Sequence, residues 1–193
     1  MRQADADRWA TARTLADLGE LTALYLEGEL GESPTYHAPP NPETGPLIPL
    51  LAAVNRAGFV THQSQPGVPF DEHGNMQRAN VSGFASGTTF AQLMTVVADA
   101  DLAITAARGL PEDWKPSVVI TLFNGAECTW DGGQETTDEL EYSYVGICHD
   151  DAVRALCGAW QVTLIDPVWG RNDLLWPLLE KFAGRTAGLV RRG

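Results

Sequence analysis

Lysine is nearly missing from this chain. Only Lys115 and Lys181 are present, and Lys and Arg together number 13 against 25 Asp and Glu. The formal charge of -12 argues against a direct nucleic-acid partner, because affinity for a phosphate backbone rests on Lys and Arg contacts. The one basic concentration, residues 185–193 with Arg191 and Arg192 adjacent, lies in a Gly-containing tail and reads as a solvated end. Cysteine is scarce as well. Cys128, Cys148 and Cys157 are an odd number with no CxxC pair, which leaves structural zinc unsupported. With no apolar signal region in MRQADADRWA, they point to a reduced, cytoplasmic setting. No apolar stretch approaches the ~20 residues a membrane helix needs, so no membrane role is expected. The metal-hydrolase spacings HxxxH and HExxH do not occur.

What the chain does hold is core-forming material: 44% of its residues are hydrophobic and six are Trp, enough in 193 residues for one packed domain. Residues 1–30 carry two helical patterns, an N-terminal helical hairpin. The second reads as opening at Asp17, with Glu20 completing a capping box and Leu18, Leu21, Tyr25 and Leu30 as the buried stripe. Residues 31–45, GESPTYHAPPNPETG, concentrate Pro, Gly and small polar residues and predict an extended loop. A helix over residues 46–57 comes next, apolar at Leu47, Leu50, Leu51 and Val54, with Gly58 placed to close it in the left-handed conformation. Strand-like and helix-like text then alternate, the mark of an α/β domain. Strands are predicted at 59–62, 79–84, 102–106, 118–123, 142–147 and 161–165, and helices at 88–97 and from near Asp150 and Asn172. The stretch GAECTWDGGQETTDELEY reads as a hairpin or a loop. The fold class is therefore α/β, a single domain over 1–193 with its core at 46–184 and a mixed sheet flanked by helices.

Three phrases, WATARTLADLGELTALYLEG, PLIPLLAAVNRAGFVTHQSQPG and LIDPVWGRNDLLWPLL, resemble in order and spacing an actinobacterial, streptomycete-type family of small domains of unknown function. The resemblance spans nearly the whole chain. It implies one domain of intracellular bacterial or phage origin, and it carries over no catalytic residues.

The densest polar cluster is residues 55–67, NRAGFVTHQSQPG. Asn55 and Arg56 at a helix end, His62 on a strand, and Gln63, Ser64 and Gln65 in a turn gather amide, guanidinium, imidazole and hydroxyl groups at a strand end, where α/β proteins seat ligands. Amides suit a base or amide edge, and Arg a carboxylate or phosphate. The plainer alternative is that Asn55 and Arg56 bond the helix's last carbonyls while 64–67 form a β-turn. Arg78, with Asn80 and Ser82 on the next strand, faces the same cleft if the strands are neighbours.

The other candidates are weaker. GFASGTT would place amides at a helix N-terminus but lacks the Lys of a nucleotide loop, and N-capping by Ser86 or Thr88 accounts for it. Cys148, His149, Asp150 and Asp151 cluster at another helix start, where a thiol pKa can fall. Adjacent side chains point apart, however, so a buried Cys148 and an N-capping Asp150 are the alternative. FDEHGN sets Asp71, Glu72 and His73 together, yet consecutive residues do not converge on one ion, and no metal is expected. Trp169 and Arg171 offer stacking and a charge clamp, or else Trp169 covers the core while Asn172 or Asp173 caps a helix.

These residues predict a protein that binds a small polar ligand, nucleotide-like molecules included, without a cofactor. Its cleft is built by Asn55, Arg56, His62, Gln63, Ser64 and Gln65, with Arg78 and Arg171 contributing. Two other classes compete. One is a small hydrolase-type enzyme using His62, or Cys148 with His149. The other is an acidic interaction protein of a phage or mobile element that engages a basic host protein. Residues 55–67 hold no carboxylate or Cys beside His62, which favours recognition over catalysis.

Overall fold

A computed structural model describes residues 1–109 and 117–190, with the side chains of 187–190 left aside. Lys115 and the Arg191–Arg192 pair of the basic tail lie outside the described residues. Helix α1 (Gln3–Trp9) and helix α2 (Leu15–Leu26) form the N-terminal hairpin. The capping box of α2 opens at Thr14, three residues before the predicted Asp17. Thr14 Oγ1 accepts from the Asp17 N–H at 3.1 Å, and the Asp17 carboxylate accepts from the Thr14 N–H at 3.0 Å. Asp17 is thus the reciprocal partner and not the cap. Leu18, Leu21, Tyr25 and Leu30 are buried, as the helical period requires.

The segment after α2 has no regular structure until a 3-10 turn (Pro42–Leu47), which hands over to α3 (Ile48–Arg56). The helix predicted over 46–57 is therefore split. Pro49 falls in the first turn of α3, where a missing N–H costs nothing. Gly58, at φ +94°, makes the left-handed exit that a Cβ would disfavour.

Seven strands are present among the described residues: β1 (Phe59–Gln65), β2 (Met76–Gln77), β3 (Asn80–Ala85), β4 (Ala103–Ala107), β5 (Val118–Phe123), β6 (Ala126–Asp131) and β7 (Trp160–Ile165). They form two sheets ordered β1-β3-β7-β4 and β2-β5-β6. Where the alternating text predicts a mixed sheet, every strand pair in both sheets is antiparallel. The reason is specific. Helix α4 (Gly87–Val97) does carry the chain from β3 to a β4 that runs parallel to it, but β7 enters between them in the opposite sense. The crossover is a split β-α-β unit.

The strand predicted at 142–147 is instead the end of helix α5 (Thr137–Tyr144). Thr136 and Glu139 form a capping box there. Leu140 and Tyr144, one turn apart, are buried, while Tyr142 is 93% exposed. A strand would put Tyr142 and Tyr144 on the same face, so local capping and burial override β-propensity. The stretch GAECTWDGGQETTDELEY, read as a hairpin or a loop, holds β6 and the start of α5; the hairpin is made by β5 and β6, joined by Asn124 and Gly125, both at positive φ, a primed two-residue turn. Helices α6 (Asp150–Cys157) and α7 (Leu175–Val190) complete the chain order.

One hydrophobic cluster joins α2, α3, α4 and α7 to the sheet positions Val81, Ala85, Val162 and Leu164. Strand alternation then sends the intervening residues to the other face. There Gln63, Ser82, Thr163 and Thr105 stand in register across all four strands. Asn80, Ser82 and Thr163 are buried on that face. Farther along the same face Val60 and Phe84 are buried in the hydrophobic cluster, so it is a polar patch bounded by apolar side chains that positions the site.

Candidate functional site

His62 owes its position to an irregularity in β1. Thr61 pairs with Gly83 and Gln63 with Ser82, so His62 is the extra residue of a β-bulge. Bulges re-aim a side chain. The His62 ring packs on Phe84 with centroids 5.3 Å apart, and its Nδ1 lies 3.6 Å from Glu135 Oε1. Gly83 makes the bulge sterically feasible, since a Cβ there would come within 2.4 Å of the Val60 carbonyl oxygen.

His62 and Gln63 are a shared wall of two cavities. The first, about 290 Å³, is lined by the Pro-rich loop together with Ser64, Tyr25, Tyr36 and Tyr144. The Tyr25 hydroxyl donates to the Ala38 carbonyl at 2.9 Å, tying this loop to α2, and burial pushes that hydroxyl up to about 12. Tyr144 is raised further, by burial first and then by the Glu135 carboxylate. Tyr144 therefore stays a neutral donor at the same edge of the cleft.

The second cavity, about 230 Å³, opens on the polar face of the sheet between Ser82, Thr163, Trp130, Asp131 and Glu135. Asp131 Oδ2 accepts from the Ser82 hydroxyl at 2.5 Å and from Asn80 Nδ2 at 2.7 Å, and Oδ1 accepts from the Gly132 N–H at 2.7 Å. The hairpin is thereby fastened over the sheet. Glu135 is held through its main chain: its N–H donates to Gln161 Oε1 at 2.8 Å, and its carbonyl accepts from Gln161 Nε2 at 2.7 Å. Gln161 so fixes where the Glu135 side chain starts.

The remaining sequence candidates do not join this cleft. Asn55 is buried, and its amide is used internally. Nδ2 donates to the Leu51 carbonyl at 2.8 Å and to Thr61 Oγ1 at 2.7 Å, and Oδ1 accepts from the Thr61 N–H at 2.9 Å. It locks α3 to β1. Arg56 points to α2, forked by Glu27 and Glu20, whose hydrogen bonds keep its guanidinium charged. Arg56 instead borders a wide, mostly apolar groove of about 1000 Å³ between α3 and α7, with Pro49, Ala53 and Trp176. Gln65 Nε2 donates to Thr121 Oγ1 at 3.2 Å, linking the two sheets.

At the other end of the sheet, Arg171 is paired with the fully buried Asp166, at 2.8 Å from Nε. Arg78 donates to the Val119 carbonyl at 2.8 Å and lies 4.2 Å over the Trp169 ring, so the stacking offered by Trp169 is taken within the protein. Burial lowers the Arg78 pKa, with the Asp166 charge opposing. The loops carrying Gly67 and Asn172 do meet, but directly. The Gly67 N–H donates to Asn172 Oδ1 and the Gly67 carbonyl accepts from Asn172 Nδ2, both at 2.8 Å.

Cys148 is buried, and burial pushes its thiol up to about 12, opposite to what a thiolate nucleophile requires. His149 is the N-cap of α6: its Nδ1 accepts from the Asp151 N–H at 3.1 Å, and its Nε2 lies 2.5 Å from Arg13 Nη1. Capping, not activation of Cys148, is the role this geometry gives it, and His149 rather than Asp150 holds the cap position. Ser86 caps α4, accepting from the Thr89 N–H at 3.1 Å. Asp71 organises its own turn by accepting from the N–H groups of His73 and Asn75. Among the described residues no group of three His, Cys, Asp or Glu side chains is placed to hold a metal ion.

Asp131, Glu135, Tyr144, Trp130 and Thr163 are cleft residues that motif reading misses. The available signal was period-two alternation: Asn80 and Ser82 share a face that must meet something polar, and DGGQE is one of the acidic segments of turn composition that could meet it.

Fold and cleft together define an α/β domain whose helix-covered antiparallel sheet is bordered by two small cavities that share His62 and Gln63 as a wall. The chain belongs to the family described as domain of unknown function DUF6919, matched over residues 4–184. No curated protein matches it. Among the described residues no helix is long and apolar enough to cross a membrane.

Proposed function

We propose that this protein binds a small polar ligand in the cleft divided by His62, and that it recognises this ligand without transforming it. The observation that carries the reading is the bulge in β1, which aims His62 between two cavities whose walls mix aromatic rings with hydrogen-bonding groups. Such walls are the usual composition of a small-molecule site. Cavities of this size, near or below the low end of the ~300–1,000 Å³ typical of ligand pockets, suit a metabolite. No Lys or Arg is among the described residues that line them, so a nucleoside-like or amine-bearing ligand fits this reading better than a phosphorylated one. Ser82 donates its hydroxyl proton to Asp131 while His62 lies beside Glu135, so among the described residues no Ser, Thr or Cys is bonded to His62 as a nucleophile to its base, which supports binding over nucleophilic catalysis. A reduced, cytoplasmic setting in an actinobacterial cell belongs to the same proposal, supported by three free cysteines.

The test is native mass spectrometry of protein taken directly from cells, with thermal-shift screening of metabolites on wild type, His62→Ala and Arg56→Ala. A bound mass or a thermal shift that is lost in His62→Ala and kept in Arg56→Ala is the expected result. Silence in both measurements means the ligand-binding reading should be dropped. A second reading, docking of a basic partner protein, draws on the charge of -12 and on the exposed Phe123 and Trp130 of the β5–β6 hairpin. In that case Trp130→Ala would abolish capture of the partner and His62→Ala would not.

A further inference from the structure

We infer that the cavity over the polar face of the sheet seats an organic cation, an ammonium or guanidinium group of the ligand. The inference rests on the ligand-binding reading above and deepens it. Its first support is a count of hydrogen-bonding capacity in the cavity floor. A hydroxyl has one proton to donate. Ser82 commits its proton to Asp131 Oδ2, so the 3.1 Å contact between Ser82 and Thr163 is made with the proton of Thr163. Both hydroxyls are almost fully buried, and both protons are spent. What Thr163 Oγ1 still offers the cavity is lone pairs. Asp131 Oδ1 has accepted only the adjacent Gly132 N–H and has acceptor capacity left. The floor therefore asks for hydrogen-bond donors.

The second support is charge and wall chemistry. Glu135 lines the same space with its main chain fixed by Gln161, and the Trp130 indole forms part of the wall. Carboxylates and an indole bordering one space suit a cation that gains ion pairing and cation–π attraction. A phosphate would meet like charge from Asp131 and Glu135. A bare metal ion fits poorly, since no three ligating side chains converge among the described residues. At about 230 Å³ the space takes a small amine or one end of a longer ligand, whose body would lie past His62 and Gln63 toward Tyr25 and Tyr144.

The experiment is isothermal titration of the full chain with putrescine and agmatine as cationic probes, butanediol as the neutral isostere of putrescine, and AMP as the anionic control. Each is run on wild type, Glu135→Gln and Trp130→Ala. Wild type should bind putrescine or agmatine at least about tenfold tighter than butanediol. Glu135→Gln should weaken the cationic probe by about tenfold, the scale of one hydrogen bond to a charged group. Trp130→Ala should weaken it less, and added salt should weaken it in wild type more than in Glu135→Gln. Glu135 is part-exposed and its main-chain bonds survive the change, so this variant separates lost charge from lost fold. Equal binding of butanediol and putrescine, or an unchanged putrescine affinity in Glu135→Gln, overturns the inference. If a neutral or anionic cellular ligand is found and depends on His62 while both amines are silent, the cation assignment fails and the ligand-binding reading stands. If amines, AMP and cell-derived ligands are all silent, both fail.

Discussion

Replacing Asn55 with Ala removes three hydrogen bonds from one buried junction. The amide bridges the last turn of α3 and the start of the bulge, satisfying the Thr61 N–H, the Thr61 hydroxyl and the Leu51 carbonyl. The variant strands the Thr61 N–H in a site that water does not reach, at a cost of about 1–3 kcal/mol for an unpaired buried donor. The space left by the amide adds about 1 kcal/mol of lost packing. Together these give a loss of about 3 kcal/mol. In a domain of this size 1 kcal/mol moves Tm by about 2–4 °C, so Asn55→Ala should melt about 6–12 °C below wild type. Urea unfolding followed by circular dichroism measures the free energy directly. Thr61→Val, made alone and with Asn55→Ala, isolates the pair, and a coupling of about 1 kcal/mol is expected if the two side chains act as one unit. A Tm within about 2 °C of wild type, accompanied by loss of ligand binding, would refute the reasoning, because it would mean the amide serves a ligand and not the junction.

Arg56→Ala breaks exposed ion pairs with Glu20 and Glu27, which are worth about 0–1 kcal/mol each. The expected melting change is small, binding at the His62 cleft is unaltered, and a large drop in either measurement contradicts this. Iodoacetamide at neutral pH followed by peptide mass spectrometry should modify the exposed Cys128 first and leave the buried Cys148 untouched in native protein. Rapid labelling of Cys148 would count against its burial and its raised pKa. For the Asp5 carboxyl, burial works to raise the pKa but is outweighed by hydrogen bonds from Arg2 and the Gly31 N–H, so the folded value lies below the ordinary 3.8. Its stabilisation is therefore complete above the unfolded value and is lost as pH falls through the folded one. The stability gap between wild type and Asp5→Asn, measured by urea titration, should be constant near neutrality and shrink below pH 3.8. A gap that widens on acidification shows the sign is wrong.

Much of the chain was legible because its local chemistry and its burial agree. The left-handed Gly58 and the bounds of β5 come from residue type alone. The strand at 142–147 failed because tyrosines and valine favour a sheet while a capping box at Thr136 and Glu139 and the one-turn spacing of Leu140 and Tyr144 favour a helix. The sheet's direction failed because alternation reports the order of elements along the chain and not which strand is later inserted between two others. At the site, residues 55–67 did contain the side chain that divides the cavities. Its polar neighbours scattered for a reason sequence does not display: a bulge sends His62 to the polar face, while Asn55 turns inward and Arg56 turns to α2. The acids that face His62 come from a segment some seventy positions away, and proximity of that kind is created only by the hairpin docking on the sheet.

The position of β7 governs how this chain comes to be made. A ribosome completes β3 and β4 long before Trp160 emerges, and until then the two strands have a vacant ladder position between them. Each presents an unpaired inner edge, the feature that most invites association with another chain. Closing that gap joins segments remote in sequence, a slow step set by loop-closure entropy. Residues 160–165 thus act as a keystone laid last. Between the synthesis of Ala107 and that of Ile165, β3 and β4 lack the strand that pairs with both.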